Sequence, residues 1–176
     1  METIGGRLVR LRRVTVADVP WLRELLAEPE VARWWGEQED DLHALVRLEP
    51  GETSYAIELL GGGGARPVGL IQSWEEPEPM YRHAGIDIAL HPSHHGRGIG
   101  TDALVALARH LLGARGHHRL TIDPAAANTR AIGVYTRIGF RPVGVMRRYE
   151  RAPDGSWRDG LLMDLLAGEL VDPGRG

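Results

Sequence analysis

Residues 94–100, HHGRGIG, have the types and spacing that can bind a phosphate-containing ligand. Gly96, Gly98 and Gly100 carry no side chain, so the backbone can pass close to a ligand there. The segment leads into an apolar, helix-like stretch, and free amides at a helix N-terminus attract anions. Arg97 adds a side chain suited to bidentate phosphate contact. The loop therefore predicts a pyrophosphate site, although a tight turn alone would also use these glycines.

Asn128 and Tyr135 form a second candidate pair. They are seven residues apart, about two helical turns, so in a helix they would share one face. An amide and a phenol on one face could line a cofactor. Taken alone, Tyr135 would more often be a core aromatic residue, so the interpretation depends on the two motifs occurring together.

The composition excludes several kinds of chemistry. The chain of 176 residues has no cysteine, and all 21 basic residues are arginine. Disulfides, thiolate nucleophiles and cysteine-ligated metals are therefore excluded, as are lysine Schiff bases and the lysine-dependent P-loop. The adjacent histidines His94-His95 and His117-His118 rarely chelate one metal without further ligands, so we expect no metal site.

Charge is distributed unevenly along the chain. Residues 1–23 carry a net charge of +3, residues 24–58 carry −8, and the remainder carries +2, giving −3 in total. The acidic block has two interpretations: a solvated helical face, or an electrostatic trap for a cationic ligand. The overall charge argues against a nucleic-acid partner.

The candidate residues need strands and helices to position them, and the hydrophobic pattern supplies both. Seven segments are predicted as strands: 7–13, 53–60, 66–74, 83–90, 119–123, 141–150 and about 157–166. Helices are predicted from the capping signature Thr15–Asp18 to about Ala27, then to Trp34-Trp35, over 39–48, over 101–112, and within 124–140 until Gly139. This order predicts one α/β (α+β) domain with a mixed sheet of about seven strands flanked by helices.

The length suits a single domain, which we place at residues 1–170, with 171–176 as a flexible tail. No apolar run approaches the roughly 18 residues of a membrane span, and the N-terminus lacks the apolar stretch of a signal peptide. We therefore expect a cytoplasmic protein that does not associate with membranes, either a monomer or a weak homodimer.

Two segments resemble the signatures of the GNAT superfamily of acetyl-CoA-dependent N-acetyltransferases. HHGRGIG is similar to (Gln/Arg)-x-x-Gly-x-Gly/Ala, with His95 where Gln or Arg is usual, and residues 128–140 are similar to Asn-x-x-Ala-x-x-x-Tyr-x-x-x-Gly-Phe. The resemblance implies a GNAT-like fold with acetyl-CoA as cosubstrate. The cofactor-binding residues that it implies are Ile88, Ala89, Leu90, His95, Gly96, Arg97, Gly98, Ile99, Gly100, Thr101, Asn128, Ala131 and Tyr135.

Shorter stretches look like corresponding parts of aminoglycoside 6'-N-acetyltransferases. They are Trp34-Trp35-Gly36-Glu37, Tyr55, Ile71–Trp74, Gly85–Asp87 and Thr121–Pro124. The substrate-binding residues implied are Trp34, Trp35, Glu37, Tyr55, Gln72, Trp74, Asp87 and Asp123, with Glu39 and Asp40 as further acids. Trp34 and Trp35 point in different directions on a helix, which leaves open whether one or both line the pocket.

The resemblance also implies catalytic roles for Asp87, Asp123 and Tyr135. A protonated amine cannot attack a thioester, so the two aspartates could draw in an ammonium group and accept its proton. An isolated aspartate is unfavourable at the centre of a strand, which favours a function for Asp87. Tyr135 would protonate the leaving thiolate, and backbone amides near Ile88 and Ala89 would polarise the carbonyl.

The leading hypothesis is therefore acetyl transfer to the 6'-amine of an aminoglycoside, a cationic small molecule, by direct transfer in a ternary complex that gives antibiotic resistance. The alternative is a GNAT enzyme for another amine, such as a hydroxylysine siderophore precursor or a protein N-terminus. A third hypothesis is a regulatory module that binds acyl-CoA without catalysis. The presence of both Tyr135 and Asp87 disfavours this third hypothesis.

Overall fold

Eight strands form one mixed sheet in the computed structural model, which describes residues 3–35, 42, 44–47, 49–61 and 66–174. In sheet order β1-β2-β3-β4-β5-β6-β8-β7, neighbours are antiparallel except for the parallel pair β5–β6. The strands are β1 (Thr3–Gly5), β2 (Val9–Arg13), β3 (Glu52–Leu59), β4 (Gly69–Glu76), β5 (His83–Leu90), β6 (Arg119–Ile122), β7 (Arg141–Arg151) and β8 (Trp157–Leu166). The predicted mixed sheet is confirmed, and β1 is the strand beyond the seven predicted.

Five α-helices in the described part of the chain flank the sheet: α1 (Val19–Ala27), α2 (Pro29–Trp35), α3 (Ala44–Arg47), α4 (Ile99–Leu112) and α5 (Thr129–Arg137). Alternate residues of a strand point to opposite faces, and the core divides accordingly. Ile71 of β4 packs in the cluster that contains α4 and α5, whereas Leu70 packs in the cluster that contains α1, α2 and α3. Among the described residues, no helix is long and apolar enough to cross a membrane.

Strands β5 and β6 separate soon after they meet. Their pairing is limited to Ala84 with Leu120 and Gly85 with Thr121, although β5 continues to Leu90. Side chains from elsewhere then satisfy backbone groups on the free edge of β5. Trp35 Nε1 donates to the Ile88 carbonyl at 3.2 Å, and His95 Nε2 lies 2.9 Å from the Leu90 carbonyl. The divergence opens a gap in the middle of the sheet.

A bulge in β7 shapes one side of this gap. Met146 pairs with Gly160 and Glu150 pairs with Arg158, so three residues of β7 lie opposite Asp159 alone. Arg148 adopts a φ of 48°, a left-handed conformation that is uncommon for residues other than glycine, and its amide donates to Asp159 at 2.8 Å. The bulge changes the direction of the residues that follow it.

Candidate active site

The gap between β5 and β6 opens into a cavity of about 1440 Å³. Its walls come from α2, the free half of β5, the first turn of α4, the loop after β6, α5 and the bulged part of β7. Twelve of the thirteen residues predicted to bind the cofactor line it, the exception being Arg97. The divergence of two strands therefore creates a site to which distant parts of the sequence contribute.

One end of the cavity is rich in free backbone donors. Among the described residues, no protein group accepts a hydrogen bond from the backbone amides of Gly98 to Thr101. Gly98 precedes the first residue of α4 with a φ of 75°, and this left-handed conformation favours glycine. Free amides at the start of a 14-residue helix attract anions, so this end fits a phosphate-containing ligand.

The charged side chains at this end differ from the sequence prediction. Arg97 is exposed and does not line the cavity. Arg130 of α5 lines the cavity instead and donates a hydrogen bond to His95 Nδ1. Arg130 is thus a candidate cation that the glycine-rich motif itself does not reveal.

Asn128 and Tyr135 both line the cavity, as their motif predicts, but Asn128 lies outside the helix proper. It is the N-cap of α5, and its Oδ1 accepts a hydrogen bond from Ala131 N at 3.2 Å. Tyr135 is 6% exposed and packs edge-to-face on Phe140. Burial, and then the charges of Asp87 and Asp123, raise the pKa of Tyr135, so its phenol stays protonated at neutral pH.

Three carboxylates face the other end of the cavity: Asp87, Asp123 and Glu150. Asp87 is an exposed position of β5 that opens into the cavity, and the surrounding cavity walls desolvate its carboxyl group. Desolvation, and then repulsion from Asp123 and Glu150, raise the pKa of Asp87 to about 7. A carboxyl group whose pKa lies near neutral pH, beside two further acids, can attract an ammonium group and accept a proton from it.

Tyr149 and Glu150 are site residues that were not predicted from the sequence. The bulge directs both to the cavity, where the Tyr149 hydroxyl donates a hydrogen bond to Asp123 Oδ2. This hydrogen bond, and then burial, raise the pKa of Tyr149 to about 12. Gly160 accommodates the Tyr149 ring, because a Cβ atom there would lie 2.8 Å from Tyr149 Cδ1.

Trp34 and Trp35, at the end of α2, both line the cavity. Trp35 is held by its hydrogen bond to the Ile88 carbonyl. Trp34 is held by Arg158, which stacks on its ring and donates to its carbonyl at 2.8 Å. Arg158 also donates to Glu150 at 2.8 Å and so connects α2 to the bulged strand.

The structure brings Gln72 to the cavity but not Tyr55 or Trp74. Gln72 is the cross-strand partner of Asp87, so both point to the α2 face of the sheet. Tyr55 points to the opposite face and packs in the core with α4. Trp74 shares the face of Gln72, but its indole lies across Gly85 and packs edge-to-face on His83.

Three predicted acceptor residues, Glu37, Glu39 and Asp40, lie outside the described residues. Within the described part of the chain, no group of three His, Asp or Glu side chains is arranged to hold a metal ion.

The backbone of β5 indicates which amides can reach a ligand. The carbonyls of Ile88 and Leu90 face the gap, and the N–H of a strand residue points to the same side as its carbonyl. The amides of Ile88 and Leu90 therefore face the gap. His91 donates to Val68, so Ala89, two residues earlier, also faces β4, and its amide is not available to a ligand.

Comparison with known proteins gives a consistent result. Residues 8–141 match the family model described as an acetyltransferase (GNAT) domain. The chain is 30% identical over 168 residues to the aminoglycoside N(6')-acetyltransferase type 1 of Klebsiella pneumoniae, covering 84% of this chain and 79% of that protein.

Solved structures with this fold include complexes with CoA. Mycobacterium smegmatis RimJ in complex with CoA-disulfide is 28% identical, with a TM-score of 0.82 that covers 97% of this chain and 90% of that one. Spermidine N-acetyltransferase from Vibrio cholerae, in complex with CoA and spermine, shares the fold at 20% identity, with a TM-score of 0.78 and coverage of 92% and 97%.

Proposed function

The chain belongs to the GNAT acetyltransferase family, and from this premise we propose that it transfers the acetyl group of acetyl-CoA to the 6'-amine of an aminoglycoside. The transfer is direct, within a ternary complex, and confers antibiotic resistance in the cytoplasm. The observation that carries the proposal is the group of three carboxylates, Asp87, Asp123 and Glu150, at one end of the cavity.

This acidic end suits a cationic sugar. Carboxylates attract ammonium groups, while the faces of Trp34 and Trp35 can pack against sugar rings and attract cations. The 30% identity to an aminoglycoside N(6')-acetyltransferase supports the same acceptor class. Gln72, beside Asp87, adds an amide that can hydrogen-bond to a polyhydroxylated ligand.

The opposite end fits the cosubstrate. Free amides at the start of α4 and the Arg130 guanidinium suit phosphate groups, and the cavity is continuous from there to the carboxylates. Acetyl-CoA supplies an acetyl group activated as a thioester. The amides of Ile88 and Leu90, which face the gap, are the backbone donors available to polarise the carbonyl of that acetyl group.

Asp87 is the proposed base. With a pKa of about 7, it is substantially ionised at neutral pH and accepts the proton that the acceptor ammonium must lose before it attacks. Asp123, whose carboxylate is oriented by Tyr149, holds the amine on the other side of the gap and provides a second negative charge. Both carboxylates line the same cavity.

Tyr135 is the proposed acid. Its raised pKa keeps the hydroxyl protonated, and its place on the cavity wall lets it donate that proton to the thiolate as the C–S bond breaks. The nitrogen that has formed the C–N bond loses its second proton as it becomes an amide, and this proton restores the Tyr135 hydroxyl, while the proton taken by Asp87 passes to solvent. No covalent acyl-enzyme is required, because the fold can align both substrates in one cavity.

Release of free thiol from acetyl-CoA with kanamycin or tobramycin as acceptor tests the proposal, with NMR of the product to locate the acetyl group. Spermine, hydroxylysine and a peptide with a free N-terminus serve as alternative acceptors in the same assay. Turnover with one of these amines and not with the aminoglycosides would show that the acceptor is that amine, while the proposed acetyl transfer would still hold. Binding of acetyl-CoA without turnover of any amine would contradict the reaction itself.

A further inference from the structure

The Arg130 side chain contacts residues from two other walls of the cavity, the segment before α4 and helix α2. It belongs to α5, and its guanidinium donates a hydrogen bond to His95 Nδ1 in the segment before α4. The same nitrogen, NH1, lies 3.5 Å from Glu30 Oε2 on α2. All three residues line the cavity.

His95 has an orientation that holds Arg130 in this place. Its Nε2 lies 2.9 Å from the Leu90 carbonyl, which can only accept, so Nε2 carries the proton. In the neutral ring Nδ1 is then an acceptor and is directed at Arg130. Because His95 lies in the segment that leads into α4, this hydrogen bond joins Arg130 to the segment that carries the free amides of Gly98 to Thr101.

A bound anion can displace Glu30, the partner of Arg130 on α2. Arg130 and Glu30 are 66% and 60% exposed, and such exposed ion pairs contribute little to stability. A pyrophosphate carries more charge than a carboxylate and can accept bidentate hydrogen bonds from a guanidinium. Arg97, the arginine within the loop, is exposed and does not line the cavity.

We propose that Arg130 binds the pyrophosphate of acetyl-CoA, that His95 is the positioning residue that holds its guanidinium there, and that Glu30 competes for it when no cosubstrate is bound. This inference rests on the proposed function and adds to it the residue that supplies the positive charge. It assigns that role to α5 and not to the arginine of the glycine-rich loop.

Calorimetric titration of acetyl-CoA tests the assignment without any acceptor. We expect Arg130→Gln to raise the Kd about tenfold, because a charged hydrogen-bond partner is lost. Glu30→Gln should lower the Kd by about two- to threefold, because it removes a competing negative charge. Arg66→Gln is the matched control: Arg66 also forms an exposed ion pair, with Glu24, but lies outside the cavity.

Titration with 3'-dephospho-CoA identifies the phosphate involved. This compound keeps the pyrophosphate, so the Arg130→Gln loss should be of similar size with both ligands. A loss seen only when the 3'-phosphate is present would overturn the assignment to the pyrophosphate. Loss of binding in Arg97→Gln with none in Arg130→Gln would overturn the choice of residue.

A double-mutant cycle tests the positioning role of His95. His95→Ala should weaken binding in the wild-type background but should add little to Arg130→Gln, since His95 acts through Arg130. Additive losses would overturn that role. If the wild-type protein did not bind acetyl-CoA, the proposed function would fail together with this inference. Equal affinity of the wild type and Arg130→Gln would overturn only the inference.

Discussion

The Tyr149 hydroxyl donates a hydrogen bond to Oδ2 of Asp123, across the cavity edge between β7 and the loop after β6. Tyr149 lies at the cavity because β7 has a bulge, in which three of its residues lie opposite Asp159 of β8. A phenol that fixes one oxygen of a carboxylate leaves the other oxygen for a ligand. The pair therefore orients one of the three acids to which we assign acceptor binding.

Removing this hydroxyl should affect the acceptor and leave the cosubstrate unaffected. We expect Tyr149→Phe to raise the KM for the aminoglycoside about five- to tenfold, because one hydrogen bond to a charged group is lost. The Kd for acetyl-CoA should stay unchanged. Steady-state kinetics with either substrate varied provide the check, and an unchanged acceptor KM would show that Asp123 is oriented without Tyr149.

The pH dependence of the reaction should report Asp87. Because the pKa of Asp87 is raised to about 7, by desolvation and then by Asp123 and Glu150, the base becomes ionised and kcat/KM rises as pH increases through that value. Glu150→Gln removes one repelling charge, so the pKa of Asp87 should fall and the rise should move to lower pH. Comparing the two profiles with one acceptor cancels the acceptor's own ionisation. An unshifted profile would assign the titration to another group.

Asp87→Asn should lower kcat by about 10² to 10⁴, the usual contribution of a general base. The thermal stability of the Asp87→Asn variant is the control for a loss of activity through unfolding. A carboxyl whose pKa is higher in the folded state than in the unfolded state loses stability as pH rises towards that folded value. The asparagine variant should therefore be at least as stable as the wild type at pH 8, in thermal unfolding. Lower stability there would mean that the activity loss reflects misfolding.

Tyr135→Phe should slow turnover while preserving the cavity. Tyr135 is buried and packs on Phe140, and phenylalanine keeps that contact. We expect kcat to fall about 10- to 100-fold, since proton donation to the thiolate is lost. Acetyl-CoA binding should be retained, as titration can show. A kcat within twofold of the wild type would exclude Tyr135 as the acid.

Asp18 should make the largest single ionic contribution to stability. It is 6% exposed; burial alone would raise its pKa, but hydrogen bonds from Arg12, Trp21 and Thr15 outweigh burial and lower the pKa. A lowered carboxyl pKa stabilises the fold above the unfolded-state pKa, and this stability is lost as pH falls below it. We expect Asp18→Asn to cost about 2 kcal/mol at pH 7.

Urea unfolding at several pH values measures this contribution. The difference between Asp18→Asn and the wild type should shrink as pH falls below about 4, where the unfolded-state carboxyl is protonated. Glu24→Gln, which breaks an exposed pair with Arg66, should change stability by less than about 0.5 kcal/mol. A pH-independent cost for Asp18→Asn would show that its charge is not the source.

Periodicity and two motifs were sufficient to predict most of the sheet, the helices around it and twelve residues that line the cavity. Strands with alternating burial, such as β3, and the apolar α4 carry strong local patterns. Strand β1 was missed because Thr3–Gly5 is too short to establish an alternation. Its partner β2 begins at Val9, two residues later than predicted.

Features that depend on distant pairing could not be predicted. Tyr149 and Glu150 reach the site only through a bulge, which follows from the pairing of β7 with β8 and leaves no local pattern. Arg130 and His95 are 35 residues apart and meet only after α5 packs beside the loop. Tyr55 and Trp74 were assigned by similarity to short stretches, whereas the alternation of β3 and the open space over Gly85 determine where these rings lie.

The most direct test of the central claim is the identity of the product formed from acetyl-CoA and kanamycin. The proposed function predicts stoichiometric release of free thiol and a single acetyl group on the 6'-nitrogen, as located by NMR. The three carboxylates support a cationic acceptor, and the similarity to an aminoglycoside N(6')-acetyltransferase supports the position. With Asp87→Asn under the same conditions, this product should form about 10² to 10⁴ times more slowly. Acetyl-CoA binding without thiol release in the presence of kanamycin, or acetylation at another position, would contradict the proposed function.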